Sequence, residues 1–188
     1  MMKFSDLTDI EIWLSFKKGD NSAVSFIYRK YFPVLYRYGL KFSADTFLIE
    51  DTIQDLFADL IKNRETLGET DNILFYLLKS FRRKLLRKME NANRYELTGE
   101  MTDEYPFEVV WSAEHELIVE EESKQRSSLL LKALSELTPR QKEAVYLRFT
   151  KELDYAIIAE IMNISIEACR NLISKAISIL KKRISEKG

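Results

Sequence analysis

The sequence predicts an all-α protein, two small helical domains joined by an acidic linker, and three observations carry that expectation. First, 188 residues with 46% apolar content include only five glycines and three prolines, leaving little chain for tight hairpins and sheets. Second, apolar residues recur at three- and four-residue spacing through most of the chain, the period of a helix packed on a core. Third, the net charge of -1 averages three unlike segments: residues 1–93 balance at +2, 94–127 at -7 and 128–188 at +4. Segment charge is therefore a better guide to partners than whole-chain pI. No apolar run approaches the ~20 residues of a membrane span, and the start "MMKFSDLTDIE" lacks the apolar core of a secretory signal. One cysteine, Cys169, excludes an internal disulfide, and one histidine, His115, speaks against a Cys/His metal site. The expected location is a reducing cytoplasm, and neither metal nor cofactor is expected.

Element by element, "DIEIWLSFKK" places Ile10, Trp13, Leu14 and Phe16 on a rough face, and Gly19 ends the helix as its C-cap. "NSAVSFIYRKYF" begins at an Asn N-cap, and Pro33 marks a break or a new first turn before "VLYRYGLKF". "LIEDTIQDLFADLIKN" repeats Ile49, Ile53, Leu56, Phe57, Leu60 and Ile61 at helical spacing, with Glu50, Asp51, Gln54, Asp55 and Asp59 opposite. The polar loop "RETLGETDN" follows, centred on Gly68. "ILFYLLKSFRRKLLRKME" then predicts a long amphipathic helix whose polar side is almost wholly basic: seven cations between Ile73 and Arg94 against Glu90. Residues 94–113 lose the period, contain Gly99 and Pro106, and are acidic, which makes them the linker between domains 1–93 and 114–188. Helical pattern returns in "AEHELIVEEESKQRSSLLLKALSEL". In "TPRQ", Thr138 is an N-cap, Pro139 the first helical residue and Gln141 the closing half of a capping box, so a helix is expected over 139–149.

The stretch "YAIIAEIMNISIEACRNLISKAISILKKR" holds two short helical runs either side of "NIS". A helix-turn-helix needs small and apolar residues where its helices cross. Ala159 is small enough for that crossing; Ile158, Met162, Cys169 and Leu172 face inward, and Ile164 plugs the turn. Asn163 tolerates the positive φ such a turn requires, and Ser165 can cap the second helix. That helix then projects Glu167, Ala168, Arg170, Asn171, Ser174 and Lys175 toward base edges and phosphates. A plain helical hairpin has the same spacing; the cationic end Lys181, Lys182, Arg183 and the preceding brace helix favour DNA binding. Cys169 reads as a small core residue.

These residues resemble the -35-element-binding region of bacterial sigma factors of the extracytoplasmic-function (ECF) group. Independently, "DNSAVSFIYRKYFPVLYRYGLKF", "IEDTIQDLFADLIKN" and "ILFYLLKSFRRKLLRKM" are similar in order and spacing to that group's core-binding and -10-binding region, and "SAEHELIVEEES" to its acidic lead-in helix. The many Ile, Lys and Asn residues resemble the iron-citrate-regulator-like members common in Bacteroidetes. The resemblance implies a non-enzymatic protein whose partners are core RNA polymerase (β′ clamp helices and β flap), promoter DNA and an anti-sigma protein, with no small-molecule substrate. It assigns Asp51, Gln54, Asp55, Phe57 and Leu60 to the polymerase, and Asn63, Arg64, Lys79, Arg82, Arg83, Lys84, Arg87 and Lys88 to the -10 element. Ser165, Glu167, Ala168, Arg170, Asn171, Ser174 and Lys175 fall to the -35 element. A base extruded from the opened -10 strand is expected in the loop Asn63–Asn72, with Phe75 and Tyr76 as candidate stackers. Leu172 replaces an Arg frequent in the group and Asn163 replaces its usual turn Gly, so the -35 preference is this chain's own. Two rival classes are a stand-alone helix-turn-helix regulator and a metal-dependent nuclease built on Asp51, Asp55 and Asp59.

Overall fold

A computed structural model describes residues 4–96, 105–108 and 130–185. The chain divides into two compact units, Met1–Thr102 and Asp103–Gly188. Among the described residues there is no strand, and no helix is long and apolar enough to cross a membrane.

The first unit contains a 3-10 turn at Phe4–Asp6 and four helices: α1 (Asp9–Lys17), α2 (Asn21–Gly39), α3 (Thr46–Asn63) and α4 (Ile73–Glu96). A capping box between Thr8 and Glu11 opens α1, and Gly19, at φ +88°, follows its end as expected. Ile12, Trp13 and Phe16 are buried, whereas Ile10 and Leu14 are 48% and 38% exposed, so the inward face is rotated from the expected one. The N-cap of α2 is Asp20, whose carboxylate accepts from Ser22 N; Asn21 is the first helical residue. Pro33 does not break α2. A single backbone bond is lost there, while Tyr31, Leu35 and Tyr38, all buried, hold both halves on one core.

The α3 stripe is buried as read, apart from the terminal Ile61 at 40% exposure. Gly39 ends α2 where it meets both neighbours: a Cβ there lies 2.7 Å from Ile49 and 3.0 Å from Phe81, so only glycine allows this closeness. Ile73, Leu77, Leu78, Phe81 and Leu85 bury one face of α4, which runs three residues into the expected linker.

The second unit contains α5 (residues 130–135), α6 (Pro139–Val145), a π-helical turn (Tyr146–Thr150), α7 (Tyr155–Met162) and α8 (Ile166–Ser185). Thr138, Pro139 and Gln141 make the expected capping box, but the α-helix stops at Val145 and widens into the π turn. Leu134, Leu137 and Ala176 form a buried cluster joined by Leu130, Val145, Ile179 and Leu180. The crossing of α7 and α8 buries Ile158, Ala159, Met162 and Cys169 as expected, and burial pushes the Cys169 thiol pKa up. The next inward residue is Ile173 and not Leu172, which is only part-buried: one residue turns a helix by about 100°. Asn163 sits at φ 55°, ψ 51°, and Ser165 Oγ accepts from Ala168 N at 3.1 Å. Within the expected linker, residues 105–108 pack on this unit. The lead-in helix expected over 112–123 lies outside the described residues, as do 97–104 and 109–113.

Candidate nucleic-acid interface

Helical period puts acids along one side of α3 and bases along one side of α4, and packing brings the two rows together. Lys88 Nζ lies 2.5 Å from Asp51 Oδ2 and 2.6 Å from Asp55 Oδ2; Lys84 Nζ lies 2.6 Å from Asp59 Oδ2. Burial works against the Lys88 charge, but the hydrogen bonds to Asp51 and Asp55 outweigh it and raise its pKa above the ordinary lysine value. The hydrogen bond from Lys84 holds the Asp59 carboxyl below its usual range. Arg83 and Arg87 stay exposed, and with Asp59, Lys84 and Lys88 they line an open cavity of about 360 Å³. Arg82 is only 8% exposed and lies toward the interior side of α4.

Of the residues assigned to the polymerase, Asp51, Gln54 and Asp55 are exposed. Phe57 and Leu60 are 5% and 4% exposed, because they carry the apolar stripe of α3. Phe57 packs against Tyr28, ring centroids 4.9 Å apart, and forms the floor of an open groove of about 710 Å³ between α2 and α3. Gln54, Val24, Tyr28 and Ile61 line its walls.

The loop between α3 and α4 is pinned by α1. Trp13 Nε1 donates to Gly68 O at 2.9 Å, Lys17 Nζ to Leu67 O at 2.5 Å, and Ile73 N donates to Asp9 Oδ2 at 2.8 Å. Beside the loop is a cavity of about 400 Å³ lined by Ile10, Trp13, Leu14, Phe75 and the loop residues Glu69, Thr70 and Asp71. Ile10 and Leu14 are exposed because they form the apolar wall of this cavity. Phe75 borders it, with Lys79 Nζ 5.5 Å from its ring, whereas Tyr76 leans on Trp13 at 5.0 Å. At the end of α3, Asn63 Nδ2 donates to Asp59 O, and Arg64 lies against Gly19 and reaches Glu65.

Ser165, which caps α8, and Glu167, Arg170, Asn171, Ser174 and Lys175 on it are exposed and Ala168 is half-buried, over the buried seam of Cys169, Ile173 and Ala176. Arg170 lies over Tyr155 at 5.9 Å. This is a rigid polar row on a helix whose opposite face is core, the form that enters a major groove. Sequence spacing did not reveal the α3–α4 pairing, the pinning role of α1 or the bracing of Arg170; each depends on the distance between helices. Among the described residues no His, Cys, Asp and Glu group is arranged to hold a metal ion, and Asp51, Asp55 and Asp59 are instead engaged by lysines.

Two family models match the chain in order: "Sigma-70 region 2" over residues 27–95 and "Sigma-70, region 4" over residues 127–180. No curated protein sequence matches it. Among solved structures, the fold is similar to a chain of the complex of CnrH with the cytosolic domain of CnrY, with a TM-score of 0.60 and 12% identity. That match covers 96% of this chain and 99% of the other. It is also similar to a chain of the co-crystal of the sigma factor RpoE with the anti-sigma factor NepR from Bartonella quintana. There the TM-score is 0.60 and the identity 18%, over 86% of this chain and 96% of the other.

Proposed function

The chain belongs to the sigma-70 family and directs the initiation of DNA-templated transcription, and on that footing we propose how its surfaces divide the work. Region 2 followed by region 4 agrees with the extracytoplasmic-function group that the sequence resembles. Residues 1–93 bind core RNA polymerase and the -10 element, and residues 114–188 bind the -35 element. Asp51, Gln54 and Asp55 grip the β′ clamp helices, and the groove floored by Phe57 receives an amphipathic helix beside them. Leu60 supports this face from within.

Lys79, Arg83, Lys84, Arg87 and Lys88 hold phosphates, which supplies salt-sensitive affinity rather than sequence choice. An extruded base of the opened strand enters the cavity at Phe75, where stacking offsets the cost of unpairing it. Asn63 and Arg64 shape the entrance of that loop. On α8, Arg170, Asn171, Ser174 and Lys175 read the -35 element, with Glu167 and Ala168 at the first turn and Ser165 as its cap. The β flap is the polymerase partner of the C-terminal unit.

NepR partners RpoE in one of the folds this chain is similar to, and an anti-sigma protein is the proposed regulator here. Sigma-70 proteins are non-enzymatic as a class, and no catalytic group, metal or cofactor is assigned. The proposed location is the cytoplasm, where polymerase and promoter meet.

The observation that carries this reading is one chain bearing both a cationic α4 row and an exposed recognition helix α8, each on its own core. Run-off transcription with host core polymerase, followed by start-site mapping, tests it. Discrete starts that require the added chain are expected. A chain that binds promoter DNA tightly alone, fails to co-purify with core and yields no new starts is a stand-alone regulator instead.

A further inference from the structure

Arg170 stands exposed on α8, and its Cζ lies over the Tyr155 ring, 5.9 Å from the centroid. Tyr155 is half-buried at the first position of α7, and Arg148 Cζ lies over the same ring at 5.0 Å. Arg148 is itself held. From the π-helical turn its Nη1 donates to Leu153 O at 2.8 Å and lies 3.5 Å from Asp154 Oδ1. Asp154 is the N-cap of α7 yet makes no side-chain cap bond; its carboxylate faces Arg148 instead. The loop that carries these groups turns through Glu152 at φ 56° and is closed by Leu153 N donating to Leu147 O at 3.2 Å. A chain of contacts therefore runs from the π-helical turn through Arg148 and Tyr155 to a residue of the recognition row.

We propose that Tyr155 is a positioning residue for recognition of the -35 element: its ring, steadied by Arg148, holds the Arg170 guanidinium ready for one base pair without touching the base itself. This rests on the proposal that the α8 row reads that element. An arginine reads a base best through two parallel hydrogen bonds, as to O6 and N7 of guanine, and that fork tolerates little misalignment. Arginine also has much rotamer freedom to lose, and the loss weakens binding when it occurs only on contact. An aromatic face attracts a guanidinium without taking up its N–H groups, so Arg170 is placed beforehand while its donors stay available. A carboxylate partner would occupy those donors and would have to be displaced. Tyr155 therefore acts on discrimination at the base pair that Arg170 contacts, and little elsewhere.

The test is run-off transcription with core polymerase and the full chain, on a mapped promoter whose -35 base pairs are replaced one at a time. Arg170→Ala erases the preference at one base pair. Tyr155→Leu keeps apolar bulk but loses the ring face, and is expected to reduce the preference at that same base pair by roughly threefold to tenfold. Tyr155→Phe keeps it. Arg148→Gln gives a smaller loss at the same base pair, and carries the test should Tyr155→Leu fail to fold. In the Arg170→Ala background Tyr155→Leu changes nothing further, a non-additivity that a general loss of stability does not produce. Tyr155→Leu and Arg148→Gln variants that weaken every promoter equally, or that add their full effect to Arg170→Ala, overturn the positioning proposal alone. An Arg170→Ala variant that folds and keeps the wild-type preference at every base pair overturns the reading of α8 on which it rests.

Discussion

The two surfaces proposed to face DNA hold their polar groups in opposite ways. On α4, Lys84 and Lys88 are bonded to carboxylates of α3, so phosphates must compete with Asp51, Asp55 and Asp59 for them. On α8, Asn171, Ser174 and Lys175 stand exposed and Arg170 is braced over an aromatic ring rather than by an acid. On the proposed assignments, the lysines of the first surface are shared with carboxylates proposed to bind the polymerase, whereas those of the second are not. Any partner that takes the carboxylates of α3 releases Lys88 toward DNA. Partly exposed pairs of this kind are worth roughly 0–1 kcal/mol each and weaken with salt, so the competition is mild and adjustable.

The pairing also has a definite pH sense. The Asp59 pKa is lowered by Lys84, so its contribution is present above the unfolded-state pKa and is lost as pH falls through the folded value. The Lys84–Asp59 bond therefore persists through neutral pH and opens only in acid below the ordinary aspartate range. A titration of free protein followed by the Asp59 carboxyl carbon in NMR checks this direction.

The contrast can be broken or sharpened by substitution. The largest effect is expected at Ile173→Ala, which empties the seam under the recognition row and costs about 2–5 kcal/mol of stability in the C-terminal unit, read by urea unfolding. Gly39→Ala does the corresponding damage in the first unit by forcing a methyl against Ile49 and Phe81, about 1–3 kcal/mol. Arg170→Ala and Asn171→Ala leave folding nearly untouched and remove about 1–3 kcal/mol of discrimination at the -35 element, measured by competition between matched and mutated promoters. Lys84→Ala lowers affinity across all sequences and reduces the slope of log affinity against log salt by about 1. Asn163→Gly is the smallest change: at φ 55° glycine relieves backbone strain, and a gain or loss under ~1 kcal/mol is expected in thermal melts.

Much of the fold was legible because it depends on local chemistry. The α3 stripe, the Thr138–Gln141 box, Gly19 and Asn163 each follow from residue type and spacing, without reference to distant chain. The errors share a cause as well. Asp20 and Asn21 are both good caps, and sequence alone does not choose between neighbours. Pro33 is a breaker in isolation, yet buried Tyr31 and Leu35 override it. Ile10 and Leu14 look like core until a cavity is found against them. At the candidate site, residue types on α3 and α4 were readable, but which acid meets which base depends on helix register. Phe107, fully buried against Tyr146, gave no periodic signal at all, since a single aromatic residue in an acidic stretch has no repeat to belong to.

The coupling between the acidic and basic rows is tested most directly by Asp51→Asn/Asp55→Asn, with Glu50→Gln as a control on the same helix. Two affinities are measured for each protein: for core polymerase, and, without core, for a labelled single strand carrying the -10 sequence. The double variant is expected to bind core at least about tenfold more weakly, by the loss of two charged contacts, and to bind the free strand severalfold more tightly because Lys88 is released. The control moves neither by much. A double variant that binds core normally, or that gains nothing for the single strand, contradicts the account.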